Sequence, residues 1–294
     1  MTMATTATMT ATPNRRQPLP RVRVQDSNRR NCRSVKVIGP AMDSLRLTQI
    51  ITATTTSADP MRVATATGDA VLLQLMWLAS PALPVGGFSY SEALEAAVDT
   101  GRVTGEASAA DWLVNQMALA PARADLPALA QAHDAWLRHD LARVTKLNDF
   151  MVRTRETREL RLQSEQMGRS LVEWLRNQRG HDDNPRLQHL ATLAPSPTWP
   201  IAFALATARA NASAAQALHA SLFGWAENMV QAALKAVPLG QLAGQRILQS
   251  LVDQMPALIA GALTMGDDDM KSFSPMLGIA SAQHETQYSR LFRS

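Results

Sequence analysis

The chain has 294 residues, of which 46% are hydrophobic and one is cysteine, with a formal net charge of +4. That length accommodates one large or two ordinary domains, and a lone Cys32 excludes both an intrachain disulfide and the CxxC spacing of zinc sites. No apolar run approaches the ~20 residues of a bilayer span, and no continuous apolar segment follows a basic one near Met1 as a secretory signal requires, so a cytoplasmic protein away from membranes is expected.

The charge is unevenly placed. Residues 1–60 hold nine Lys or Arg against three Asp (Asp26, Asp43, Asp59), whereas the rest holds 20 basic against 22 acidic residues. Since the body lacks a basic stripe with interleaved aromatics, nucleic-acid binding is not expected. Residues 1–68 are rich in Thr, Ala and Arg without sustained periodicity, which predicts a basic, disordered extension. An organelle-targeting peptide or a true start downstream, for example at Met61, would account for the same composition.

Helical periodicity dominates from Asp69. Val71, Leu72, Leu75, Met76 and Leu78 form a first stripe. A Pro- and Gly-rich loop follows, in which Ser89-x-x-Glu92 reads as a capping box for a helix on Leu94, Ala97 and Val98 that stops at Gly101. Trp112, Leu113, Gln116 and Met117 mark a helix ended by Pro121; Leu126 to Leu137 gives another. A long helix is predicted from about Asp140 to Gln178, closing at Gly180. His181 to Pro197 reads as a loop or short turn. Further helices are predicted at 200–210, 213–236, 239–254 and 256–263. The prediction is one all-α domain of about ten helices over 69–294.

Candidate chemistry is sparse. None of the six histidines is paired at i+3 or i+4, so a tight preformed metal site in one chain is not expected. Asp267-Asp268-Asp269 reads as a solvated loop, and Met76, Met117, Met167, Met229 and Met255 as core filler. The chain lacks GxxxxGK[ST] and so should not hydrolyse GTP itself. Arg155–Glu159, Arg161–Glu165 and Glu165–Arg169 are predicted as i,i+4 pairs, on either a solvated face or a partner surface. Lys235 complements a helix C-terminus, while Gly240 and Gly244 allow close helix approach with Gln241 and Gln245 as bridging polar groups. Tyr288, Leu291 and Phe292 stand at helical spacing, a stripe suited to a groove in a partner.

Six segments in order, Ser80–Glu95, Arg155-Glu156-Thr157-Arg158-Glu159, Gln166-Met167-Gly168, Gly224-Trp225-Ala226-Glu227-Asn228, Val237-Pro238-Leu239-Gly240-Gln241 and His284–Ser294, resemble urease accessory protein F. The likeness runs from about Asp69 to Ser294, and Met1 to Gly68 show none of it. The resemblance implies a non-enzymatic, homodimeric scaffold that helps load nickel into the urease active site. It would bind a D/H-type accessory protein and recruit the GTPase, urease accessory protein G, to apo-urease. The complex handles the nickel, and this subunit binds no cofactor tightly. Partner contact is then expected of Phe88, Tyr90, Glu92, Lys235, Gln241, Glu285, Tyr288, Arg290, Leu291, Phe292 and Arg293, with the terminal segment ordering only on its partner. The rival reading is an α-helical hydrolase using Ser89, which requires a histidine and an acid converging on that hydroxyl.

Overall fold

Alanine-rich apolar segments with few β-branched runs form helices along the chain, as their propensities dictate. The computed structural model describes residues 60–178, 184–271 and 274–293. The leader and the predicted stop at Gly180 lie outside them. The helices are α1 (Pro60–Ala79), α2 (Leu94–Asp99), α3 (Glu106–Leu119), α4 (Leu126–Leu137), α5 (Leu141–Thr154), α6 (Arg158–Arg176), α7 (Pro185–Ala191), α8 (Trp199–Arg209), α9 (Ala214–Ala236), α10 (Gln241–Thr264) and α11 (Pro275–Glu285). Among the described residues the fold is all-α, as predicted.

The centre is α8, buried along the whole stretch from Pro200 to Ala208, the expected place for a helix apolar on every side. It packs between α4 and α6, and the fully buried Trp136 of α4 donates its indole N–H to the Ile201 carbonyl at 3.1 Å. α9 and α10 form a close pair, where a Cβ on Gly244 would stand 3.0 Å from Leu234.

Several expectations are corrected. The single long helix is two, because Arg155 is extended (φ −66°, ψ 129°) and Thr157 caps α6 by accepting from the Leu160 amide. The segment expected to be loop contains α7, capped by Asn184. The helices predicted at 239–254 and 256–263 are one, α10, continuous through Pro256. α11 was not anticipated: it buries Leu277, Ala280, Ser281 and His284, an i, i+3, i+4, i+7 face concealed by its small and polar members. α1 begins at Pro60, earlier than Asp69, and buries Val71, Leu75 and Leu78 but exposes Leu72 and Met76, so Met76 is not core filler. Asp267 is held by Arg143 in a short turn rather than lying free. By length and composition α10 alone among the described residues could cross a membrane. It packs on α9, α3 and α4, however, and its Arg246 pairs with Glu106 at 2.6 Å, the behaviour of a helix half-buried in a protein domain.

Candidate functional site

The loop after α1 does not cap α2 in the predicted way. Gly86 takes φ +80°, a conformation closed to most side chains, and Gly87 lies so near Asn228 that a Cβ would stand 2.7 Å from its amide nitrogen. Glu92 and Ala93 then adopt left-handed conformations (φ 47° and 67°), uncommon for residues with a Cβ. This turn sends Glu92 inward. The first turn of α2 is met instead by Ser91, whose hydroxyl accepts from the Glu95 amide at 3.4 Å.

Inside, the Glu92 carboxylate accepts from Gln116 (2.8 Å), Gln163 (2.8 Å) and the Trp225 indole (2.9 Å). Burial pushes its pKa above the usual carboxylate value, opposed by the Trp225 hydrogen bond. Nearby, Arg155 forms a fork to Asp125 and reaches Ser164, with the two paired side chains only 13% and 20% exposed. Arg155 therefore does not pair with Glu159. Gln116 apart, these groups line a cavity of about 90 Å³ with Leu83, Met167 and Asn228. Four of the six family-like segments meet there.

A second cluster centres on two carboxylates: Glu95, which sequence reasoning did not single out, and Glu159, which it had paired with Arg155. Glu95 of α2 accepts from the backbone amides of Leu291 (2.7 Å) and Phe292 (3.1 Å). Glu159 of α6 accepts from Arg290 (3.0 Å), and its own amide donates to Glu285 (2.9 Å). Between them His284 is fully buried, with Nδ1 3.0 Å from Glu159 and Nε2 3.2 Å from Glu95. The available signal was a pair of carboxylates at otherwise buried helical positions, together with a histidine at the end of an apolar period.

Residues 286–293 form a non-helical strap over the body. The predicted helical stripe is absent because Glu95 takes the amides of Leu291 and Phe292 and draws that stretch out of a helix. Phe292 is 6% exposed, and Lys235 stands 5.7 Å from its ring and 6.0 Å from that of Phe88. Tyr288 and Leu291 point out to solvent. The strap thus has a seat on its own chain, contrary to the expectation that it orders only with a partner. The Arg293 amide donates to the Ser89 carbonyl at 2.9 Å, and its side chain hydrogen-bonds the buried Tyr90 hydroxyl, whose pKa burial raises against that bond. Beside the strap lies an open groove of about 340 Å³ lined by Tyr90, Arg158, Leu162, Gln166 and Arg293. Gln241 stands exposed at the start of α10, and Lys235 in the last turn of α9 also serves the helix-end role foreseen for it.

Among the described residues the hydrolase reading finds no base at Ser89: His284, buried beside the strap, has both ring nitrogens turned to carboxylates. Among the described residues, no group of three or more His, Cys, Asp or Glu is arranged to hold a metal ion. The arrangement is one of exposed apolar side chains, Phe88, Tyr288 and Leu291, beside a buried polar network.

A sequence model of the UreF family matches residues 103–252. The urease accessory protein UreF of Methylibium petroleiphilum is 58% identical over 233 residues, covering 79% of this chain and 98% of its own length. That of Paracidovorax citrulli is 60% identical over 226 residues, 76% of this chain and 90% of its own. That of a Polaromonas species is 56% identical over 226 residues, with shares of 76% and 95%.

Proposed function

The chain belongs to the UreF family of urease accessory proteins, and from that premise we propose that it is a cytoplasmic, non-catalytic scaffold in nickel insertion into urease. It acts as a homodimer, binds a D/H-type accessory protein, and presents the G-type GTPase to apo-urease. Nickel is cargo of that complex, and this subunit holds no cofactor of its own.

The observation that carries this reading is the strap. Tyr288 is fully exposed and Leu291 is 71% exposed, on a segment otherwise pinned by five polar contacts to Ser89, Glu95, Glu159 and Tyr90. A backbone already held in place loses less entropy when a partner covers its exposed side chains, and aromatic anchors commonly dominate such interfaces. Phe88, 53% exposed beside Lys235, extends the same surface.

The test is copurification of the full chain with the D/H-type protein, followed by titration. The double variant Tyr288→Ala/Leu291→Ala should melt as the parent does and bind at least about tenfold more weakly, a loss of about 1.4 kcal/mol. Unchanged binding and unchanged urease activation would remove the strap from the interface.

A further inference from the structure

We propose that His284 is a charge-dependent clasp that keeps the C-terminal strap closed on the body and releases it as the pH rises. Between two ionised carboxylates the geometry favours the charged ring. Ionised carboxylates only accept hydrogen bonds, whereas a neutral imidazole carries a single N–H. With Glu159 at Nδ1 and Glu95 at Nε2, both within 3.2 Å, only the imidazolium donates on both sides. A neutral ring would set one lone pair against a carboxylate.

The same two carboxylates hold the strap. Glu95 takes the Leu291 and Phe292 amides and Glu159 takes the Arg290 guanidinium, while each side chain is only 8% exposed. Loss of the imidazolium leaves two neighbouring buried anions, of which Glu159 keeps the Arg290 guanidinium, itself 39% exposed, and Glu95 keeps only backbone amides. Such anions regain hydration most readily by letting the strap lift. His284 sits in the last turn of its helix, where the backbone dipole adds to the preference for a cation.

The other titratable groups on the surrounding elements do not replace it. On the α2 side Glu92 is taken by Gln116, Gln163 and Trp225, and Asp99 is exposed. Arg102 reaches the Met276 sulfur. On the α6 side Arg158 is exposed, and Glu156 lies against Gly278. Glu285 accepts the Glu159 amide, and Arg293 hydrogen-bonds Tyr90. Burial alone would lower the His284 pKa, but the hydrogen bonds and charges of Glu159 and Glu95 outweigh it and hold the ring above its ordinary value. The clasp is therefore complete below the ordinary imidazole value of about 6.5 and is lost as pH rises through the higher folded value.

The experiment is amide hydrogen exchange on the full chain from pH 6 to 10, corrected for intrinsic exchange, with the His284 ring titration followed by NMR. Protection at Leu291 and Phe292 should fall about tenfold for each unit by which the folded pKa exceeds the ordinary one, tracking the ring, while amides of α8 hold steady. In His284→Gln the strap amides should show no such pH dependence. Wild-type protection that ignores the ring titration overturns the proposal, as does a glutamine variant with the same pH-dependent loss. The wild-type series decides alone if the variant does not fold.

Discussion

Gly168→Ala sets two magnitudes against each other. Gly168 lies inside α6, where alanine is intrinsically better by about 1 kcal/mol. Its Cβ, however, would fall 2.8 Å from the Pro197 carbonyl carbon and 2.9 Å from that of Thr198, and nearer still to the Pro197 oxygen. The first distance is 0.6 Å short of the 3.4 Å at which ordinary contact begins, and the obstacle is backbone. That backbone cannot easily yield. Asn148 donates to the Pro195 (3.0 Å) and Ser196 (3.1 Å) carbonyls and accepts from the Thr198 amide (2.8 Å) and hydroxyl (3.0 Å), while the Trp199 amide donates to Ser164 (3.3 Å). Overpacking costs about 1–3 kcal/mol, and each strained hydrogen bond adds up to about 1 kcal/mol. We expect a net loss of about 3 kcal/mol, which for a domain of this size lowers Tm by roughly 6–12 °C. The assay is calorimetric melting beside Gly261→Ala, a position in α10 with open space around it, which should gain up to about 1 kcal/mol. If Gly168→Ala melts at or above the parent temperature, propensity has won and the packing argument is wrong.

Arg155→Met should cost about 3–5 kcal/mol by leaving Asp125 buried and unpaired, and Arg155→Met/Asp125→Leu should recover most of that in chemical denaturation. Phe292→Ala should accelerate exchange across residues 286–293 while the global melt shifts little, because the strap can open locally; equal destabilisation of the α4–α8 core would show that the strap is part of the global unit. Lys235→Met should reduce strap protection less than Phe292→Ala, since a cation over a ring at an exposed site is worth about 0.5–1 kcal/mol.

Helix-forming stretches were legible wherever apolar residues recur with period 3.6: Leu126 to Leu137 is α4 to the residue, and Ser213 caps α9 with Gln216 in the capping box such a sequence favours. The break at Arg155 was not legible. Helix propensity continues through Arg-Glu-Thr-Arg-Glu, and what ends α5 is a guanidinium drawn to Asp125, a contact across 30 positions. The motif at Ser89–Glu92 showed the same limit. Its letters fit a local cap, but three donors from distant helices claim the Glu92 carboxylate. At the C-terminus the spacing of Tyr288, Leu291 and Phe292 was correct as letters and misleading as geometry, because Glu95 takes the amides a helix would have used. Local pattern predicts elements well, and buried charge decides where it fails.

The bond from Phe292 to Glu95 spans 197 positions, almost the entire domain. During synthesis the carboxylate at one end of that contact is made long before the amide at the other. Glu95, Glu159 and Lys235 are therefore made before residues 290–292, which close onto them. Contacts of such long sequence separation are slow to close, because loop-closure entropy opposes them. A chain stopped before residue 286 would pack most of its core and still lack the strap, so completion of this surface reports that synthesis has passed residue 293.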